Sequence, residues 1–170
     1  MNLKIFGAVL IVASSSIAGY SMAAGYRREE KTLLQLIGAL DFMACELQYR
    51  LTPLPDLCRQ AGAEKSGCIG KVLTELAIQL ESRLQPDVAC CMKAALETAP
   101  DIPNQTREAL YLLGQNLGRF DVDGQIKGIA SVRSHCRAAA EKMAQGRDNR
   151  LRSYQTLGIC AGAALAILFV

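Results

Sequence analysis

Residues 5–26 read IFGAVLIVASSSIAGYSMAAGY, 22 consecutive positions without a charge. At a rise of about 1.5 Å per residue, a helix of this length reaches across a hydrocarbon core of about 30 Å. The first reading is therefore a membrane-crossing helix, with residues 1–26 as an anchor. A secretory signal peptide is the rival, with Lys4 as its basic start, Ile5 to Ala13 as its apolar stretch and Ser21-Met22-Ala23 as the cleavage site. Two features favour retention. The apolar character continues past that cut, and Arg27, Arg28 and Lys31 follow directly, as in a stop or orientation signal.

The other end repeats the pattern in shorter form. Ser153 to Val170 carries no charge over 18 residues, and Leu157 to Val170 is strongly apolar. This length borders on that of a buried terminal helix. Nothing after Val170 would keep a soluble end solvated, so a second anchor at 153–170 is the preferred reading. Arg27, Arg28 and Lys31 follow the first segment, and Arg147, Arg150 and Arg152 precede the second. Positive charge gathers on the side facing the middle of the chain, which places residues 27–152 in the cytoplasm; Lys4 and the amino terminus pull weakly the other way. Small residues recur at four-residue spacing, Ser15, Gly19 and Ala23 in the first segment and Gly158 and Gly162 in the second. That spacing suits close helix packing in a membrane, and it also arises by accident where Gly and Ala abound.

Between the anchors, helical stripes follow one another. Leu33, Leu36, Leu40, Met43 and Leu47 step by three and four along one face. No break separates this stripe from the first apolar segment, so the two read as one rod, ended by Thr52-Pro53-Leu54-Pro55. Asp56 to Ala61 suits a short helix, and Gly62 to Gly67 a loop. Ile69, Val72, Leu73, Leu76 and Leu80 form the next stripe. Val88, Met92, Ala95 and Leu96 form another, with Pro86 suited to its first turn. After the break Ala99 to Asn104 come Leu110, Leu113, Leu117 and Phe120. Asp121-Val122-Asp123-Gly124 turns the chain, with Asp123 as the expected N-cap. Ile126, Ile129, Val132, Cys136, Ala140 and Met143 then keep helical spacing with no proline to the end. The prediction is an all-α, membrane-anchored helical bundle with N- and C-terminal transmembrane helices. The first and last long helices would form its stalk, and the short helices between Pro53 and Pro103 its cap. Nothing alternates like a strand, and there is no internal repeat.

The chemical inventory consists mostly of absences. A balance of 19 Lys plus Arg against 16 Asp plus Glu, with no clustered basic face, gives no reason to expect nucleic acid. Aromatic residues make up 5% of the chain and Trp is absent, so no stacking platform is available. His135 is the only imidazole. It neighbours Cys136, but adjacent residues point about 100° apart on a helix, and no third group orients the pair. A surface histidine is the better reading. No GxxxxGK[ST] or GxGxxG pattern occurs, so nucleotide hydrolysis by this chain is not expected. Cys45, Cys58, Cys68, Cys90, Cys91, Cys136 and Cys160 lack a CxxC pair and are odd in number. Buried or incidental thiols are expected in place of a metal site or disulfides, and no cofactor is expected.

Several short motifs, taken together, carry a resemblance. Gly7-Ala8-Val9-Leu10-Ile11 precedes Gly19-Tyr20 and Arg27-Arg28, and Pro53-Leu54 follows the long amphipathic helix. Leu113-Gly114-Gln115-Asn116-Leu117-Gly118 leads to Asp121 and Gln125, and the end carries Tyr154, Leu157-Gly158 and Gly162. In order and spacing, over nearly the whole chain, this resembles the stage III sporulation protein AB family of endospore-forming bacteria. It departs from that pattern in its wealth of cysteine and its sparsely charged last helix. The resemblance implies a structural subunit of a channel apparatus between mother cell and forespore, seated in the mother-cell membrane. Its soluble part would be similar to the cytoplasmic domain of the inner-membrane platform protein of type II secretion. The implied partners are other stage III channel proteins, a separate secretion-type ATPase among them, and further copies of the chain in an oligomer. Within it, Leu113, Gly114, Leu117, Gly118, Asp121 and Gln125 are the candidate assembly contact. The competing account of the same stretch is that its leucines are core and its glycines only permit close packing.

Overall fold

The computed structural model describes the backbone of residues 2–65, 67–118 and 121–169, and the side chains of 24–65, 67–118 and 121–145. Every regular element among them is helical: α1 (Asn2–Arg50), α2 (Leu54–Ala63), α3 (Cys68–Ser82), α4 (Val88–Glu97), α5 (Asn104–Asn116) and α6 (Val122–Phe169). The chain divides into two compact units, residues 1–28 with 142–170, and residues 29–141. Among the described residues, no helix is long and apolar enough to cross a membrane. The side chains of the two uncharged terminal segments, including Ser15, Gly19, Ala23, Gly158 and Gly162, lie outside the described residues, as does Phe120.

The 29–141 unit is built on the stripes the sequence displays. Leu33, Leu36, Leu40, Met43 and Leu47 of α1 are all buried, as are Ile69, Val72, Leu73 and Leu76 of α3. Met92, Ala95 and Leu96 of α4, Leu110 and Leu113 of α5, Leu117 just after α5, and Ile129, Val132 and Cys136 of α6 complete the core. One helix ends where Leu51 adopts a left-handed φ of 52°, two residues before Pro53. Thr52 secures that corner by donating its hydroxyl to Glu46 Oε2 at 3.1 Å. Pro55 then falls in the first turn of α2, where its missing N–H costs nothing.

Successive helices run antiparallel, as their contacts show. Lys65 lies beside Gly38, and Gly67 beside Gln35, so the α2–α3 connection sits against the middle of α1. Arg59 pairs with Glu81, which joins the middle of α2 to the end of α3. Arg107 in α5 donates from its guanidinium to the carbonyls of Leu96 at 3.4 Å and of Ala99 and Pro100 at 3.2 Å, capping the spent end of α4 with a cation where the helix dipole is negative. The backbone N–H of Gln105, at the start of α5, donates to Glu29 Oε1 of α1 at 3.3 Å. Asn116 at the end of α5 meets Gly128 of α6. Finally Arg133 of α6 donates to Asp41 of α1 at 2.6 Å, with Arg137 at 3.6 Å from the same carboxylate.

Three local expectations change. Gly62 does not open a loop but lies inside α2, because it is where α3 comes closest: a Cβ there would stand 3.0 Å from the Gly70 carbonyl oxygen. A Cβ on Gly70 would stand 2.0 Å from the Lys65 carbonyl oxygen, so that position admits only glycine. Pro86 precedes α4, whose N-cap is Asp87, accepting from Cys90 N at 2.7 Å. The cap of α6 is Asp121, accepting from Gly124 N at 2.9 Å, which leaves Asp123 inside the first turn.

Candidate assembly surface

The stretch singled out in the sequence is split by the fold. Leu113, Gly114 and Leu117 are buried and pack the interior of the 29–141 unit. A Cβ on Gly114 would stand 2.6 Å from Met92 Cβ, so this glycine lets α5 close on α4. Gly118 is exposed, yet it is fixed from two sides. Its φ is +74°, and a Cβ would come within 2.5 Å of Val88 Cγ2 and 3.8 Å of Leu54 Cδ2. Asp121 is exposed and caps α6, while Gln125 is half-buried one turn further on. Of the six, Gly118, Asp121 and Gln125 are therefore the ones a partner reaches without opening the module.

Among the described residues, the remaining candidates do not come together. Adjacent on α6, His135 is exposed and Cys136 wholly buried, so the two do not share a helix face, as their spacing predicts. The six described cysteines are free thiols, and among the described residues no three His, Cys, Asp or Glu side chains gather as metal ligands do. Burial pushes the Cys58 thiol up to about 12 and the Cys136 thiol up to about 11, and raises that of Cys91. Cys90 is also held above its ordinary value, chiefly by its hydrogen bond to the Asp87 side chain. These four are held as thiols, not thiolates, the reverse of what nucleophilic or redox chemistry requires. Thr106 Oγ1 is buried without a hydrogen-bond partner, an isolated hydroxyl on the inner face of α5.

One feature of the surface left no mark in the sequence. Leu54, Val88 and Gly118 meet at one pole of the 29–141 unit. The end of α1, the starts of α2, α4 and α6, and the ends of α3 and α5 therefore all arrive there. Tyr49 at 76% exposure, Leu51 at 66%, Leu84 at 81% and Val122 at 37% stand at the same pole. The sequence shows each as an unremarkable residue at a helix end. Only the antiparallel path gathers them.

Comparison with known proteins gives one consistent answer. The family model for stage III sporulation protein AB matches residues 4–170. Stage III sporulation protein AB of Bacillus subtilis (strain 168) is 25% identical over 171 residues, covering 99% of each chain. A solved structure of a stage III sporulation protein AB superposes with a TM-score of 0.64 at 21% identity, covering 72% of this chain and 98% of that one, a likeness of fold. The chain belongs to the stage III sporulation protein AB family.

Proposed function

We propose that this member of the stage III sporulation protein AB family is a non-catalytic, structural subunit of a membrane channel complex between mother cell and forespore. Residues 1–26 and 153–170 hold it in the mother-cell membrane, and residues 27–152 stand in the cytoplasm. The observation that carries the reading is the extent of the family match, residues 4–170, which takes in both uncharged segments as well as the module between them. Physical support comes from two sides. The uncharged segments suit a bilayer, and the basic residues flanking them suit its cytoplasmic face. The chain also has no phosphate loop, and its single histidine stands alone on an exposed helix face. Such a chain acts through the surfaces it presents, with energy supplied by a separate secretion-type ATPase and the channel built with other stage III proteins.

Deleting the gene and counting heat-resistant spores tests the role, and an unchanged yield sinks it. Placement is tested on Cys45, which is exposed on α1. A membrane-impermeant maleimide should label it only after lysis, and labelling in intact cells overturns the cytoplasmic assignment. ATP hydrolysis by the purified chain would remove the word non-catalytic.

A further inference from the structure

We infer that the arginines bordering the two uncharged segments form a collar that binds the phosphate headgroups of anionic lipids. The inference rests on the membrane reading above and adds to it the class of lipid that the chain prefers.

The sign of the charge changes where the structure divides. Arg27 and Arg28 end the first part of the unit made of residues 1–28 and 142–170, and Lys142 opens its second part. Glu29, Glu30 and Glu141 stand next to them on the other side of the boundary, followed by Lys31. Counted whole, the unit of residues 1–28 and 142–170 carries Lys4, Arg27, Arg28, Lys142, Arg147, Arg150 and Arg152 against Asp148 alone. Of the 19 Lys plus Arg and 16 Asp plus Glu in the chain, 12 and 15 therefore fall in the 29–141 unit. A chain of modest net charge is thus a strongly basic part joined to a mildly acidic one, and anionic headgroups attract the first alone.

Depth selects the ligand. Both α1 and α6 run as helix across the borders of the uncharged segments. At about 1.5 Å per residue, Arg27, Arg28, Arg150 and Arg152 fall within about 5 Å of those borders, and Arg147 within about 9 Å. The polar layer on each face of a bilayer is of similar thickness, about 5 to 8 Å. Tyr26 and Tyr154 mark the same level independently: each stands at the collar end of its uncharged segment, and phenol rings settle at the membrane interface. All five basic residues at this depth are arginine, whose planar fork offers paired N–H groups to one phosphate. Arg28 has an interaction within the protein, so the binding is assigned to Arg27, which is exposed, with Arg147, Arg150 and Arg152. Asp148 offsets one charge, and Glu29 across the boundary accepts from the Gln105 N–H of α5. An acidic protein is the less favoured occupant, since it would have to displace headgroups from the layer in which these positions lie.

The test reconstitutes the full-length chain into phosphatidylcholine vesicles. Electron paramagnetic resonance then compares spin-labelled phosphatidylglycerol with spin-labelled phosphatidylcholine in the lipid shell that the protein immobilises. The expected preference for phosphatidylglycerol is at least about three-fold, shrinking as salt is added. Arg147→Gln, Arg150→Gln and Arg152→Gln together should abolish most of it, and Arg27→Gln alone should lower it part of the way. Lys71→Gln with Lys93→Gln, which removes exposed positive charge from α3 and α4, should leave it unchanged. Equal immobilisation of the two lipids, a preference indifferent to salt, full preference in the triple variant, or an equal loss in the Lys71 and Lys93 variant each overturns the proposal. Anchoring fails separately: a chain washed from the vesicles by alkaline carbonate sinks both readings, whereas one that resists the wash and shows no preference sinks the collar alone.

Discussion

Two seams hold the 29–141 unit together by opposite means. Between α2 and α3 the backbones touch: Gly62 and Gly70 bring carbonyls and Cα atoms as close as sterics permit, and the flanking side chains, Leu57, Cys58, Ala61, Val72 and Leu73, are wholly buried. Between α1 and α6 the described polar link is the Asp41 carboxylate with Arg133 and Arg137, all part-exposed. A dry seam has no slack, because a close-packed interior cannot absorb even one methyl group without moving its neighbours. In a wet seam the charges exchange protein partners for water, so its gains and its losses are both small.

Gly70→Ala should show the largest effect. Its Cβ meets fixed backbone, so a loss of at least about 3 kcal/mol is expected in denaturant titration of the purified chain. A wild-type midpoint would mean that the seam has more give than the geometry allows. Next comes pH. Cys58 and Cys136 have folded values of about 12 and about 11 against an ordinary 9.0, so each favours the folded state while it stays protonated. Their contribution is fully present below pH 9.0 and is lost as pH rises through that value toward 11 and 12. Stability should therefore fall on the alkaline side, with a shallower fall in Cys58→Ala. Thiolate absorbance should appear at Cys136 before Cys58, and the reverse order would contradict the drier setting assigned to α2. Asp41→Asn should cost no more than about 1 kcal/mol, a loss that shrinks as salt is added. A salt-independent cost would mean that the wet seam is not electrostatic. The smallest effect belongs to Gly38→Ala. The new Cβ meets only the end of the Lys65 side chain, at 3.2 Å, so the helix should gain up to about 1 kcal/mol once that lysine moves aside.

Legibility in the sequence follows the same division. The stripes of α1, α3, α4 and α5 could be read residue by residue, because burial on one face repeats at the helical period and leaves a mark in composition. Gly62 lies inside α2 and not at the start of a loop, because a glycine that admits a neighbouring helix looks, in one dimension, like a glycine that ends its own. The motif from Leu113 to Gln125 does not say, in one dimension, whether it packs inward or offers a contact. Leu113 and Leu117 are core, while Asp121, in place of the expected Asp123, is the cap, because the helix begins one residue earlier, at Val122, and the Gly124 N–H donates to Asp121. The exposed pole could not be read at all. Its members are far apart in the chain and share no period, so only the antiparallel path brings them together.

That path has a mechanical consequence. Six antiparallel passes return the chain to the pole it set out from, where Glu29 enters and Glu141 leaves. A tug shared equally by both long helices carries the module as one rigid piece and loads nothing inside it. A tug that differs between them loads α6 against the rest of the module, where the buried Ile129, Val132 and Cys136 stand behind the part-exposed Asp41–Arg133 pair.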